Sequence, residues 1–287
     1  MDILSHGHSI TSTAGETPSN VARLRAELSE FELGRYLLNN LGLNGQWTSY
    51  VLLYPERGSQ TRLSSDGSPL GDLETWLLER CPLLLATQQR FSLMGGLTQP
   101  LLRSGMQLAS LPSGLMDDLL TLDYAACHDV SLTAIDLDAK ALDAALRNHS
   151  ERHTPVAMAC EQRDAWQLGC QGRWDLITSN GLNIYVDDDQ LCTAFYRQVA
   201  EALRPEGVFI VSFITPPDHW KPYSRADLEQ QRLLFQDVVP VRWMCHRDET
   251  TTRAQLAEAG LEVISVHYDE QRMFPAVLAR KHGSALL

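Results

Sequence analysis

LASLPSGLMDD, residues 108–118, is an apolar run that stops at Ser110, passes through Pro112 and Gly114, and resumes as LMDDLLTLDY with apolar residues at helical spacing. The pattern predicts a strand, a tight turn and a helix. In α/β proteins such a turn commonly holds a cofactor, because free backbone N–H groups at a helix start attract negative charge. A dinucleotide pyrophosphate asks for a glycine-rich turn with several N–H donors and close backbone approach. Here Pro112 has no N–H, and Ser110 places a side chain where the backbone would have to come close. A nicotinamide-dependent oxidoreductase is therefore disfavoured, and a ligand without a pyrophosphate fits the turn better.

Working outward, the chain after Gly105 alternates strands and helices. Strands are expected at 106–110, 131–135, 156–160, 174–179 and 207–213, an alternation that implies a parallel sheet covered on both faces. LEVISVHY (261–268) and FPAVLARK (274–281) are separated by too few residues for a parallel crossover, so they should pair antiparallel and close the sheet with a hairpin. The fold class is thus α/β: a doubly wound, mostly parallel seven-stranded sheet ending in an antiparallel hairpin.

Upstream, residues 1–20 are rich in Ser, Thr and Gly and read as a flexible tail. Residues 21–103 read as a mainly helical lobe: apolar residues recur at near-helical intervals over 21–40, with a break expected around Gly34, and 73–102 forms two helical pieces divided near Pro82. Within the lobe, WTSYVLLYP (47–55) is rich in β-branched and aromatic residues and predicts a short strand or extended segment. Residues 104–287 make up the α/β domain. Its segment 215–256, about forty residues, far exceeds the ~2–6 usual for a β-to-α connection and reads as a lid-like insertion.

The 287 residues carry a formal net charge of -12, which argues against coating nucleic-acid phosphates or an anionic membrane, since those contacts need clustered Lys and Arg. Six cysteines form no CxxC pair, so neither a zinc site nor a disulfide framework is expected, and no metal is assigned. The N-terminus lacks an apolar signal core, and no segment approaches the ~18 apolar residues of a membrane span, so a cytoplasmic protein is expected.

A parallel sheet closed by a terminal hairpin resembles the class I S-adenosylmethionine-dependent methyltransferases, over roughly residues 86–282, and motifs similar to theirs follow in the same order. QLASLPSG stands in place of the glycine-rich first motif, with Ser110, Pro112 and Gly114 where the family usually has three glycines, and Leu111 between them. LTAIDLD ends a strand on Asp136, followed by Leu137. The resemblance implies that Asp136 accepts hydrogen bonds from both ribose hydroxyls, which suits a carboxylate. CEQRDAW is similar to the adenine-contacting stretch, implying Asp164 and the N–H of Ala165. WDLITSNGLNIYV resembles the fourth motif, implying that Ser179, Asn180 and Gly181 line the methyl-donor pocket, and ALRPEGVFIVSF is similar to the turn and fifth strand that follow. The implied cofactor is S-adenosylmethionine, with S-adenosylhomocysteine as product. Its ammonium would be met by backbone carbonyls near Ser110, and its carboxylate by Arg90 or by N–H groups near Gly114.

The resemblance implies methyl transfer to a small-molecule acceptor, with O-, N- and carboxyl acceptors left open. The fourth motif, SNGLNIY, has no NPPY-like pattern, which together with the acidic charge disfavours a nucleic-acid substrate. Tyr185, beside the fourth-motif turn, and His219 and His246, in the long insertion, are the candidate catalytic residues, the histidines as proton acceptors. A catalytically inactive methyltransferase-like binding or scaffold protein is the alternative, because the first motif is altered and no base stands out. Oligomeric state is not readable from these residues.

Overall fold

A computed structural model describes residues 17–282. The sheet has seven strands: β1 (Gln107–Ser110), β2 (Ser131–Asp136), β3 (Ala157–Gln162), β4 (Trp174–Ser179), β5 (Leu203–Ser212), β6 (Leu261–His267) and β7 (Ala276–Lys281). Their order is β3-β2-β1-β4-β5-β7-β6, with β7 antiparallel to both β5 and β6 and the other neighbours parallel. This is the doubly wound sheet with a terminal hairpin that the strand spacing predicts. Between β1 and β4 the winding reverses direction, and crevices at such reversals, outside the carboxyl ends of the strands, are where open α/β sheets bind ligands.

Two apolar layers cover the sheet. On one side Trp174, Phe195, Tyr196 and Phe209 pack beneath α9 (Asp189–Ala202) and α11 (Glu249–Glu258). On the other, Leu108, Leu132 and Leu176 pack under the one-turn α7 (Asp117–Leu120), α8 (Ala139–Arg152) and the end of α6 (Pro82–Thr98). The helix expected after the opening turn is thus a single turn, because the chain bends away at Thr121.

A third core lies outside the sheet. It gathers Leu24, Leu28, Leu37, Val51, Trp76 and Leu84 from the N-terminal helices with Leu234, Phe235, Val238 and Trp243 from the long insertion. The N-terminal helices are α1 (Thr17–Ser29), α2 (Glu32–Asn40), α3 (Gly45–Leu53), a short turn α4 (Ser59–Thr61), α5 (Asp72–Glu79) and α6; the insertion contributes α10 (Arg225–Arg232), which runs on as a π-helical turn to Val238. Buried polar contacts tie the two segments together. The Asp227 carboxylate accepts from the Trp76 indole N–H at 2.7 Å and from Arg80 at 2.8 Å, and the Gln231 carbonyl accepts from the Leu83 N–H at 2.6 Å. The segment 215–256 therefore divides: α10 and the residues through Trp243 complete the helical cap, whereas α11 leaves it to cover the sheet beside α9 and β6.

Three details correct the sequence reading. WTSYVLLYP is helical, not extended: Asn44 caps α3 by accepting from the Trp47 N–H at 3.0 Å, and burial of Trp47, Val51, Leu52 and Leu53 overrides their strand preference. The break in the first helical stretch falls at Glu30–Phe31 rather than at Gly34, which lies inside α2 where an added Cβ would collide with the Leu28 carbonyl oxygen. The expected tail, 1–20, is helical from Thr17, and residues 1–16 lie outside the described residues.

Replacing Asp227 by Ala strands a buried indole N–H and should lower the unfolding free energy by about 1–3 kcal/mol in urea titration. A loss below about 0.5 kcal/mol would show that the Asp227 contacts contribute little to joining the two cap segments.

Candidate functional site

The turn after β1 engages its own N–H groups. That of Leu111 donates to the Thr178 carbonyl at 2.9 Å, that of Ser113 to Ile135 at 2.8 Å, that of Gly114 to the Asp136 carboxylate at 3.0 Å and that of Met116 to Ser113 at 2.6 Å. Pro112 has none to give, so only the Leu115 N–H is left open among residues 111–116. Gly114 and Met116 both lie in the left-handed region, with φ of 49° and 61°, which folds the turn back on the tip of β2. A turn satisfied in this way cannot cradle a phosphate with its backbone.

Above it lies a cavity of about 310 Å³, floored by the turn and the tips of β2 and β4 and roofed by the cap. One face of α3 forms the roof, with Gly45, Thr48, Ser49 and Leu52 at helical spacing. A Cβ at Gly45 would stand 3.0 Å from the Gly114 Cα, so glycine at both positions lets cap and turn approach. Leu83, Leu84, Trp243 and Phe274 make the remaining wall apolar.

The charged groups in this wall are side chains. Arg90, midway along α6, is 3% exposed, stacks over the Phe274 ring at 4.5 Å, and has no hydrogen-bond partner for Nε or Nη1. Burial pulls its pKa down to about 10, so it remains a cation at neutral pH. A buried, unpaired guanidinium is costly unless an anion meets it. Asn180, also on the cavity wall, has a buried Oδ1 without a partner. Asp118 is 7% exposed and accepts from the hydroxyls of Ser110, at 2.9 Å, and Thr178. Burial pushes its pKa up to about 6, partly countered by those two hydroxyls. Its neighbour Asp117 is ion-paired to Arg152 at 2.9 Å.

The expected site residues separate into three groups. Arg90, Pro112, Gly114, Asp136, Asn180, Gly181 and Tyr185 line the cavity. Asp136 accepts from the N–H groups of Gly114 and Asp138, both at 3.0 Å, which fixes its carboxylate at the tip of β2. Ser110, Leu111 and Ser179 lie beneath the cavity, each at most 1% exposed; the Ser179 hydroxyl has no partner. Leu137, 66% exposed, Asp164, which accepts from the Trp166 N–H at 2.9 Å, and the buried Ala165 are outside its wall.

Neither histidine is brought to the cavity. His219 sits on a surface turn with its ring 4.0 Å from Asp218, because the turn at Pro217 directs it outward. His246 packs on Trp220, ring centroids 5.9 Å apart, with Nε2 buried and unpaired; burial lowers its pKa. Tyr185 reaches the cavity, and although 45% of its surface faces solvent, its hydroxyl end turns under the cap beside Arg90. There burial pushes its pKa up to about 12, so at neutral pH it is a hydrogen-bond donor rather than a base. Sequence reasoning missed Asp118 and the α3 roof. The Asn44 cap signal preceding GQWTSY was the readable clue to α3.

No protein-family model and no curated protein matches the chain. Among solved structures, magnesium protoporphyrin IX methyltransferase from Synechocystis PCC 6803, with S-adenosylhomocysteine bound, is 15% identical and superposes with a TM-score of 0.54 over 82% of this chain and 99% of its own. A protein of Bordetella parapertussis described as a possible exported protein is 37% identical, with a TM-score of 0.84 over 92% of this chain and 88% of its own. The chain belongs to the Bordetella protein's family and has the class I S-adenosylmethionine-dependent methyltransferase fold.

The Synechocystis enzyme of this fold holds S-adenosylhomocysteine, and the residues lining the cavity here are of kinds that would fit such a ligand. The cavity of this methyltransferase fold offers a cation without an anion, an open acceptor oxygen and a carboxylate at the β2 tip, a set that matches a zwitterionic amino-acid group joined to a ribose. Of the groups expected to meet the cofactor carboxylate, the Gly114 N–H is already engaged, the Leu115 N–H beside it is open, and Arg90 has two nitrogens without a partner. No group of three or more His, Cys, Asp or Glu side chains among the described residues is arranged to hold a metal ion, and no helix among them is long and apolar enough to cross a membrane.

The folded-state pKa of Asp118, about 6, lies above the ~4 of an unfolded carboxylate, so between these values the native state holds the proton more tightly. Stability should therefore fall as pH rises from about 4 to about 6, by on the order of 2 kcal/mol, and Asp118→Asn should flatten that slope. Urea unfolding of both proteins across this window checks it; parallel profiles would contradict the assignment.

Proposed function

We propose that this protein is an S-adenosylmethionine-dependent methyltransferase acting on a small-molecule acceptor under the helical cap. The observation that carries the reading is Arg90: a fully buried guanidinium with two unpartnered nitrogens, aimed into a cavity at the reversal point of a methyltransferase-type sheet. When bound, the cofactor supplies a methyl group activated on a sulfonium, so the protein's chief tasks are alignment and exclusion of water.

In this reading Arg90 takes the cofactor carboxylate in a charge-assisted pair, Asp136 takes the ribose hydroxyls, and the open Oδ1 of Asn180 with carbonyls near Ser110 meets the ammonium. Asp164 and the Ala165 N–H, beyond the present cavity wall, receive the adenine. Tyr185 keeps its proton and orients the acceptor by donating a hydrogen bond. The apolar wall of Leu83, Leu84, Trp243 and Phe274 keeps water out and selects an acceptor with an apolar body. The acidic overall charge and the roofed cavity favour a small molecule over nucleic acid. A cytoplasmic setting agrees with six free cysteines, although the Bordetella protein bears a name suggesting export.

Binding without turnover is the second reading, favoured by the absence of His219 and His246 from the cavity wall. Calorimetric titration with S-adenosylhomocysteine, followed by methyl-transfer assays on a panel of hydroxyl, amine and carboxyl acceptors, separates the two. Micromolar binding is expected, weakened by about 1–3 kcal/mol in Asp136→Ala and by at least as much in Arg90→Ala, the scale of hydrogen bonds to charged groups. No binding to the wild-type protein at hundreds of micromolar would overturn the cofactor assignment, and an Arg90→Ala affinity within about twofold of wild type would remove Arg90 from the site.

A further inference from the structure

Of the four aspartates lining the cavity, Asp118 is the one that is both buried and without an ion pair. Asp117 is paired with Arg152, Asp136 is held by two backbone N–H groups, and Asp138 caps α8 through the Lys140 N–H. Asp118 is met by neutral donors, chiefly the hydroxyls of Ser110 and Thr178, and among the described residues no Lys, Arg or His forms a salt bridge with it. These two hydroxyls belong to the facing tips of β1 and β4, so the carboxylate is fixed at the reversal point of the sheet, on the floor of the cavity that Arg90 walls.

A buried, uncompensated carboxylate favours any ligand that brings a net positive charge. The donor and product differ in one such charge. S-adenosylmethionine has a sulfonium, an ammonium and a carboxylate, whereas S-adenosylhomocysteine has lost the sulfonium charge with the methyl group. With Arg90 answering the ligand carboxylate, the donor brings a sulfonium charge that the buried Asp118 carboxylate can meet, whereas the product leaves that carboxylate without a charged partner.

Building on the cofactor assignment above, we propose that Asp118 is a charge-selecting residue that makes the site prefer the sulfonium donor over the neutral thioether product. The selection promotes product exchange after each transfer, because the product leaves a buried carboxylate facing an uncharged sulfur. Such a charge is felt strongly in a water-excluded cavity and weakly in solvent, which accounts for its placement at the buried tips of β1 and β4 rather than on the rim.

The test is calorimetric titration at pH 8 of wild-type protein and Asp118→Asn with three ligands: S-adenosylmethionine, S-adenosylhomocysteine, and the analogue in which a carbon bearing a protonated amine replaces the methylsulfonium. Wild-type protein should bind both positively charged ligands at least about tenfold more tightly than S-adenosylhomocysteine, and Asp118→Asn should reduce that preference to within about threefold. Equal affinities in the wild-type protein, or an undiminished preference in the variant, would overturn the proposal. Should Asp118→Asn fail to fold, the wild-type comparison of the amine analogue with S-adenosylhomocysteine decides alone. Failure of all three ligands to bind wild-type protein would instead remove the cofactor reading on which this rests.

Discussion

All but one of the N–H groups in the turn at residues 111–116 are held by the protein itself, and the character of the site follows from that constraint. Four of them close onto Thr178, Ile135, Asp136 and Ser113, and Pro112 lacks one altogether. Backbone donors are then nearly used up, and the charged groups around the cavity are side chains. Arg90 arrives from α6 and Asp118 from the single helical turn that follows. The altered first motif is thus a turn locked against β2 and β4, with a buried cation above it and a buried carboxylate beneath it.

The cap explains how Arg90 can be placed there. Helix α6 begins in the cap core, with Leu83 and Leu84, and ends against the sheet, with Met94. Arg90 lies where it passes from one to the other. The insertion segment α10, through Asp227 and Gln231, fastens α5 and the start of α6. Two stretches of chain some 150 residues apart, as in the Trp76–Asp227 contact, thereby fix one guanidinium over one cavity. This suits a site whose groups must be held before the ligand arrives.

Much of this architecture was legible in the sequence. The strands and the terminal hairpin followed from alternating apolar runs and a connection too short for a crossover, and Pro82 marked the start of α6 as expected of a proline in a first helical turn. What local pattern could not supply was tertiary. WTSYVLLYP has the composition of a strand, yet burial on several sides and an Asn44 cap make it the roof of the cavity. The histidines of the insertion have the right chemistry for a base, but their backbone turns them to the surface or against Trp220. Asp118 carries no local signal, since an acid in the first turn of a helix ordinarily only complements the helix dipole. What sets it apart is burial against the hydroxyls of Ser110 and Thr178, one of them sixty residues away in sequence.

A cofactor seated between the locked turn and the α3 roof would shield both, and amide hydrogen exchange with and without saturating S-adenosylhomocysteine reports where binding occurs. Added protection is expected in residues 45–53 of α3 and 111–120 of the turn, together with 179–185, and none at the surface turn bearing His219. Protection confined to other regions, with α3 and the turn unchanged, would rule out a cofactor in this cavity.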